Sequence, residues 1–546
     1  MHRDGASGRG QRSGHREKAT FQIIVLGASG GPREDIVTGI LVRSTSTNWT
    51  RGSVIAVDAG TLLAGIIRAL ESSNSTKDTS SKDSKLRMKD GPFAGIELPN
   101  ITTEANAAYI FREIISSVLV THPHLDHVSG LAMNTPLVEA QSNPKVVAAL
   151  PSTIAAIKNH IFNDITWPNL SDEDGGAGLL TYQRLVDGGN PRLGRSEGRG
   201  YVKACDGIIT KCLSVSHGLC GQRYHPETGK HHRAESTVFT TEPVLLPSRR
   251  VSIDTQDLGR SFTPTHQSIS GNNVAGKDMT LATVESSAFF LRDERSGTEI
   301  IIFGDIEPDS ISLEPRNEKV WEIAAPKIAN GILRAIFIEC SYTDSVDDNY
   351  LYGHLCPRHL IAELEVLAGK VLDALKPHSG HMLTRKRKRR VSSISDEPTS
   401  PRTIKQSSQP PRTSPTRRKT RRSHGDEDAD PNRPALDDER ASPAVASEAM
   451  DDDNVGSHDY RQTHTPDTSS LAESTIAPCR RRRRSSGSST QKPLGGLEVY
   501  LIHIKDTLTD GRSAREKILE EVQARNEEAG LGCEFFAPLS GEEVFV

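Results

Sequence analysis

The sequence predicts an α/β fold in which several strands end at one chemical site. Short apolar runs rich in β-branched residues alternate with segments whose apolar residues recur at helical spacing. Each of the later apolar runs ends at a histidine, an aspartate or a glutamate. Loops that follow strand ends are where α/β folds place binding and catalytic side chains. We therefore predict one α/β domain whose site is built from strand ends.

The predicted elements begin at Phe21. Phe21–Leu26 is a continuous apolar run followed by Gly27–Pro32, which is typical of a buried strand and a turn. Further strands are predicted at residues 36–42, 54–57 and 118–120, and helices at 61–70 and 105–115. The later strands, each with its closing residue, are 208–215 with His217, 300–303 with Asp305, 336–338 with Glu339, and 499–502 with His503.

Polar segments interrupt this pattern. Only 35% of the residues are hydrophobic, which is less than in an ordinary globular domain. Segments that cannot bury enough apolar surface stay disordered or flexible. We predict a disordered N-terminus at 1–20, a catalytic domain at 21–377 with flexible loops at 72–92, 187–200 and 222–274, a disordered insertion at 378–493, and the C-terminal part of the catalytic domain at 494–546.

Charge and hydropathy narrow the classes of partner. The net charge of -4 gives no overall basicity for binding nucleic acid. No apolar run reaches the ~18 residues that cross a membrane, and residues 1–20 lack the apolar centre of a signal peptide. The cysteines form no C-x-x-C pair, which fits a reducing compartment. We expect a cytoplasmic protein that binds neither membrane nor nucleic acid; the basic runs at 385–390 and 480–484 add the nucleus as a second location.

The strongest local pattern is His122-x-His124-x-Asp126-His127, directly after a predicted strand. On such a loop two imidazoles can converge on one cation, and the Asp–His pair on another. Imidazole and carboxylate are zinc ligands, and catalytic zinc keeps one position open for water. A polar loop that is histidine-rich by chance is the weaker alternative, because all four residues fall within six positions.

One loop cannot complete two metal sites, so ligands from elsewhere in the chain are needed. His217, Asp305 and His503 fit, because each follows an apolar run. Taken singly, such residues are more often caps or surface residues than ligands. Taken together, their order after the H-x-H-x-D-H motif is similar to that of the metallo-β-lactamase superfamily.

Longer stretches narrow the resemblance to one family. Thr121–Gly130 resembles the signature of the class II cyclic-nucleotide phosphodiesterases of the fungal and amoebal type, and so do Leu26–Pro32, Phe303–Ser310 and the segment from Tyr352 to Ile361. The resemblance implies the four-layer αβ/βα sandwich of the metallo-β-lactamase type. It also implies metal-dependent hydrolysis of cAMP, with cGMP as a second candidate substrate, to the 5′-monophosphate.

The resemblance further implies two divalent metal ions, with Zn²⁺ as the expected identity, and a set of ligands. The first metal would be held by His122, His124 and His217, the second by Asp126, His127 and His503, and Asp305 would bridge them.

Catalytic roles are implied for His354, Glu339 and Asp126. We expect His354, paired with Glu339, to protonate the leaving oxygen or to contact the phosphate. A structural role for His354 at the start of a helix is equally open.

Three other features near the motif have specific expectations. Asp58 is expected behind the site, where it accepts a hydrogen bond from a ligand imidazole, or else at a helix N-cap. Glu307 and Asp309 are expected to cap the next helix rather than bind metal. Ser29–Gly31 lacks the Lys-Ser/Thr pair of a phosphate-binding loop and is expected to form a tight turn beneath the site.

The sequence leaves two other functions open. An RNA-processing phosphodiesterase of the tRNA 3′-end nuclease type would keep the site, but it needs an extended basic arm that the folded part does not offer. A non-catalytic scaffold would work through the insertion at 378–493, yet it has no need of two metal sites. The expected partner is a cyclic nucleotide substrate, and the sequence indicates no oligomeric state.

Overall fold

The computed structural model describes residues 19–73, 75–77, 86–140, 143–234, 281–376 and 492–546. These residues belong to one unit, which is formed by Met1–Ser379 and Gly487–Val546. The predictions of disorder at 1–18, 235–274 and 378–491 fall outside the described residues, as do both basic runs.

Most strands of the described chain are short apolar runs. In chain order they are β1 (Phe21–Gly27), β2 (Gly39–Ser44), β3 (Val54–Ala59), β4 (Ser75–Lys77), β5 (Leu86–Met88), β6 (Glu97–Leu98), β7 (Ile115–Leu119), β8 (Lys145–Ala149), β9 (Leu180–Arg184), β10 (Val202–Cys205), β11 (Ile208–Cys220), β12 (Gln222–His225), β13 (Lys230–Arg233), β14 (Ala282–Asp293), β15 (Glu299–Phe303), β16 (Leu333–Glu339), β17 (Glu498–Ile502), β18 (Glu534–Phe536) and β19 (Glu543–Phe545).

Helices connect many of these strands. The α-helices are α1 (Leu63–Glu71), α2 (Thr103–Tyr109), α3 (Leu125–Met133), α4 (Pro151–Ala156), α5 (Asn317–Ala329), α6 (Pro357–Leu375) and α7 (Ala514–Ala529). Helices α2 and α4 continue as π-helical turns at Ile110–Ile114 and Ile157–Ile161, and short 3₁₀ turns occur at Thr45–Thr47, Thr135–Ala140, Ser196–Gly198 and Asp348–Tyr350. Among the described helices, none combines the length and the apolar character needed to span a bilayer.

Two seven-stranded sheets form the centre of the fold. The first has the order β19-β1-β2-β3-β7-β8-β9 and the second the order β10-β11-β14-β15-β16-β17-β18. In the first sheet β3, β7, β8 and β9 run parallel, and in the second β15 to β18 run parallel. The carboxyl ends of parallel neighbours lie at the same edge of a sheet, so each sheet gathers several strand ends there.

Three apolar clusters show that the layers are helix, sheet, sheet and helix. Successive residues of β1 point to opposite faces, so Ile23 joins the cluster between the two sheets while Ile24 joins the cluster under the helices of the first sheet. In β14 likewise, Phe289 lies between the sheets and Phe290 lies against α5 and α6, where Trp321 is buried. The predicted four-layer αβ/βα sandwich is confirmed. Because both faces of its sheets are covered, the strands read as continuous apolar runs.

Three local expectations differ from the structure. Within the loop predicted at 72–92, residues 75–77 and 86–88 pair as β4 and β5 of a small three-stranded sheet. In the loop predicted at 222–274, residues 222–233 form the β12–β13 hairpin, whose strands are polar and therefore carry no apolar pattern. The strand predicted at 208–215 runs on to Cys220, with a register shift between Ser216 and Leu219, so His217 lies within β11 rather than after it.

The segment after β15 is anchored to α5 by Asp309. Its carboxylate accepts hydrogen bonds from the backbone N–H groups of Arg316, Asn317 and Glu318, each at 2.9 Å. The first N–H groups of a helix have no partner within the helix, so Asp309 serves as a cap from outside it. This is the capping role expected for Asp309. Glu307 instead accepts from the Gly218 N–H and from Ser312 Oγ, which ties the segment to β11.

We predict that Asp309→Ala lowers the free energy of unfolding by about 1–2 kcal/mol, because the first turn of α5 loses its acceptors. Asp309→Asn should lose less, since the amide oxygen still accepts. Chemical denaturation followed by circular dichroism measures both. Glu322→Gln is the matched control, because Glu322 is an exposed residue of the same helix. Equal stability of Asp309→Ala and Glu322→Gln would refute the capping role.

Candidate metal centre

The polar side chains of the site come from the ends of strands in both sheets. In the first sheet, Asp58 is near the end of β3, and the loop after β7 carries residues 121–127 into α3. In the second sheet, Asp305 follows β15, Glu339 ends β16 and His503 follows β17. His217 is contributed by the irregular part of β11, and His354 by the loop before α6. The two sheets thus meet at one polar centre.

Six imidazole rings form a closed circuit at this centre. Neighbouring ring centroids are 4.1 to 5.3 Å apart, in the order His122, His124, His217, His354, His503, His127 and back to His122. All the rings are buried except that of His124, which is exposed.

Asp305 lies inside the circuit. Its carboxylate is 3.1 Å from His503 Nε2 and 3.2 Å from His127 Nε2. It is 3.7 Å from a ring nitrogen of each of His122, His217 and His354. One buried carboxylate therefore faces five imidazoles.

The donor atoms divide into two groups that share Asp305. The first group is His122, His124, His217 and Asp305, and the second is Asp126, His127, His503 and Asp305. In each group the ligand atoms lie within 4.8 Å of one another. A third group, made of His217, Asp305, Glu339 and His354, overlaps the first. The structure thus brings together every residue for which the sequence predicted a metal or catalytic role.

Several of these atoms are buried without a hydrogen-bond partner in the described chain. They are Nε2 of His122, His127 and His503, and Oδ1 of Asp305. Leaving a buried polar atom unpaired costs about 1–3 kcal/mol, so a fold does not collect four of them in one place without a reason. Nitrogen and carboxylate oxygen are donors that divalent transition metals accept. The residues present therefore fit metal ions.

Neighbouring groups fix which nitrogen of each imidazole is available. His217 Nδ1 is 2.8 Å from the carbonyl oxygen of Gly353, which can only accept, so Nδ1 carries the proton and Nε2 is left as the donor atom for a metal. His127 Nδ1 is 2.8 Å from Asp58 Oδ2, with the same result. His503 Nδ1 is 2.7 Å from Thr38 Oγ1.

Asp58 is held in place by the motif that it supports. It accepts hydrogen bonds from the backbone N–H of Thr121 at 2.8 Å and from Thr121 Oγ1. Helix α1 begins at Leu63, whose backbone N–H donates to Asn134 Oδ1, so Asp58 is the partner of an imidazole and not a helix cap. Gly30 lies beneath the site as expected, since a Cβ added there would be only 2.6 Å from His503 Nε2.

Burial and charge set the protonation of the ligands. Burial holds the pKa of His122 well below its usual range and lowers the pKa of His217 to about 3. Burial also opposes a charge on His127, but Asp305 and Asp58 outweigh it and raise the pKa of that imidazole. For Asp305, burial is outweighed by the imidazoles, His503 first, so the pKa of its carboxyl lies well below its usual range. In the absence of a cation the centre is thus an ionised carboxylate beside a protonated His127, and a cation bound at His127 Nε2 would take the place of that proton.

His354 and Glu339 form a pair beside the first group. His354 Nδ1 is 3.0 Å from both carboxylate oxygens of Glu339. Glu339 also accepts from Ser341 Oγ at 2.5 Å and from the backbone N–H of Ile306 at 2.8 Å. Burial, with the nearby Asp305 carboxylate, raises the pKa of Glu339 to about 8, and burial holds the pKa of His354 well below its usual range. These contacts favour a role in the site over a helix-start role for His354.

Some supporting residues could not be found by sequence reasoning. Thr38 and the Gly353 carbonyl orient His503 and His217 from 465 and 136 residues away in the chain, and no motif marks either of them. Ser341 bridges Glu339 and the carbonyl oxygen of His503. Its place two residues after Glu339, the residue that closes a predicted strand, was the only local signal.

Comparison with known proteins gives a consistent result. The model of the class-II cAMP phosphodiesterases matches residues 26–185 and 236–386. The chain is 26% identical over 356 residues to a 3′,5′-cyclic-nucleotide phosphodiesterase of Schizosaccharomyces pombe, a match that covers 64% of this chain and 76% of that protein. It is 27% identical over 376 residues to 3′,5′-cyclic-nucleotide phosphodiesterase 1 of Saccharomyces cerevisiae, covering 64% of this chain and 82% of that protein.

A solved structure shares the fold. The crystal structure of unliganded yeast PDE1 aligns with a TM-score of 0.53 and 20% identity, covering 97% of this chain and 100% of that chain. At this identity the likeness concerns the arrangement of the elements only.

We predict that Asp58→Asn weakens metal binding by the second group about 10- to 100-fold, the range typical for residues that orient a ligand imidazole. Titration of the purified protein with Zn²⁺ against a chromophoric chelator measures the affinity. Asp35→Asn is the control, because Asp35 is a half-buried aspartate outside the cluster that pairs with Arg33. Equal affinities of the two variants would show that Asp58 does not support the second group.

Proposed function

This chain belongs to the family of class-II cAMP phosphodiesterases, and we propose that it hydrolyses 3′,5′-cyclic nucleotides to 5′-nucleoside monophosphates at the centre around Asp305. The observation that carries the proposal is the pair of donor groups that share Asp305, with buried donor atoms that have no other partner in the described chain. We propose cAMP as the substrate and cGMP as a second one. The family match favours a cyclic nucleotide over RNA.

The fold and the cluster imply divalent metal ions, and we propose two of them. His122, His124 and His217 would hold the first, Asp126, His127 and His503 the second, and Asp305 would bridge them. The histidine-rich donor set favours Zn²⁺. When bound, such ions supply a water of lowered pKa as nucleophile and neutralise the charge of the phosphate.

His354 and Glu339 are proposed to donate the proton that the leaving oxygen needs. Hydrolysis breaks the bond between phosphorus and the 3′-oxygen, and that oxygen leaves as an alkoxide unless it receives a proton. The contact of Nδ1 with Glu339 orients the His354 ring and leaves Nε2 for the substrate. The raised pKa of Glu339 lets the pair hold a proton at neutral pH, as a general acid must.

Asp126 is proposed to act at the open side of the centre. Its side chain is 29% exposed, whereas the Asp305 side chain is 2% exposed. Asp126 therefore borders the space through which water reaches the cluster, and we assign it both ligation of the second metal and orientation of the attacking water.

We propose that the enzyme works in the cytoplasm, or also in the nucleus.

We predict that His124→Ala loses metal from the first group and lowers the rate of cAMP hydrolysis more than 100-fold, beyond the loss expected for a residue that only orients a ligand. Metal content by mass spectrometry and formation of 5′-AMP by chromatography are measured together. His232→Ala is the control, since His232 is an exposed hairpin histidine outside the cluster. Metal bound by the parent chain without turnover of any cyclic nucleotide would refute the proposed function while leaving the metal centre intact.

The role of the proton donor is tested by two substitutions. Glu339→Gln and His354→Asn should each lower kcat for cAMP by about 10²- to 10⁴-fold, the usual contribution of a general acid. Both variants should keep two metal ions per chain, because the two donor groups retain their ligands without either residue. Loss of metal together with activity would show that the pair belongs to the metal centre rather than to proton transfer.

A further inference from the structure

A cavity of about 470 Å³ opens beside the metal centre. His124 and Pro123 line part of it, and His124 is the exposed imidazole of the circuit. The volume is typical of a pocket for a small molecule. A ligand whose charged end lies on the metal centre therefore has room for its remaining part in this cavity.

The β12–β13 hairpin also lines this cavity. Tyr224 and His231 are directly paired across the two strands, and their ring centroids are 5.4 Å apart with an angle of 50° between the planes. Both residues line the cavity and are half-buried. Burial and the neighbouring His160 lower the pKa of His231, so its ring is neutral near pH 7. The hairpin thus presents two uncharged aromatic side chains to the cavity.

The charged groups of the cavity are already paired. Arg316 contacts Ser214 Oγ at 2.6 Å, Glu314 at 2.6 Å and Glu285 at 3.4 Å. Arg223 is 3.4 Å from Glu314. With both guanidinium groups opposite carboxylates, the cavity is poorly suited to a second anion. An uncharged planar group fits these walls better than a phosphate does.

We propose that this cavity holds the nucleoside half of the substrate, with the base lying against Tyr224 and His231 while the cyclic phosphate lies on the metal centre. The inference rests on the proposed function and adds the position of the base and the residues that bind it. Aromatic side chains bind bases through their π-faces, and every base has such a face. Tyr224 is accordingly a binding residue for the base, and it takes no part in the chemical step.

The test compares two substrates of one reaction. Tyr224→Ala should raise KM for cAMP about 5- to 150-fold, the loss expected for one base–aromatic stack, with kcat little changed. Methyl ribofuranoside 3,5-cyclic phosphate contains the same cyclic phosphodiester without a base, so its kcat/KM should be the same in the variant and the parent. Tyr224→Phe keeps the ring and should retain the parent KM for cAMP.

Tyr350→Ala is the matched control, because Tyr350 is 57% exposed and does not line the cavity. An equal loss with cAMP and with the base-free phosphodiester would overturn the inference, since Tyr224 would then act on the metal centre or on folding. An unchanged KM for cAMP in Tyr224→Ala, with hydrolysis still abolished by His124→Ala, would also overturn it and leave the proposed function standing. If the parent chain hydrolyses no cyclic nucleotide, both the proposed function and the inferred base-binding site are refuted.

Discussion

The contact of one buried carboxylate, that of Asp305, with five imidazoles is the interaction on which the site depends. A buried anion is costly unless opposite charge or hydrogen bonds compensate it. The compensating rings come from both sheets, since His122 and His127 follow β7 and His503 follows β17. The edges of the two sheets therefore meet where Asp305 requires partners. Divalent cations would pair with the ring nitrogens and the carboxylate together. Because these groups come from both sheets, metal binding would also stabilise the contact between the sheets.

The sandwich architecture explains which strands could be predicted from the sequence and why their order in the sheets could not. Strands such as β1 and β15 are covered on both faces, so they appear as continuous apolar runs, and the residues that close such runs mark the site. The same uniformity hides the order and direction of the strands, because no face is distinguished by polar residues. The position of β19 beside β1 could not be inferred, since that pairing joins residues 519 or more positions apart in the chain.

Site residues that are close together in the sequence could be predicted from it more readily than those that are far apart. Residues 122–127 lie on one loop and the first turn of α3, so their spacing predicts convergence without knowledge of the fold. Residues such as Asp305 and His503 could be assigned only through a resemblance. The partners of the imidazoles, Thr38 and the Gly353 carbonyl, depend on tertiary contacts and are ordinary residues in the sequence. The β12–β13 hairpin was missed because polar strands have neither an apolar run nor alternation.

The position of β17 has a consequence for the order in which the enzyme is made. This strand lies between β16 and β18 and brings His503 to the centre, yet more than a hundred residues separate it from α6. Closing so long a connection adds little entropy cost, because the cost grows only with the logarithm of length. The long connection does, however, delay the synthesis of β17 relative to that of α6. A ribosome that has already made α6 has also made the loop of histidines and Asp305, whereas His503 is still to be synthesised, so the proposed centre is completed only when β17 emerges.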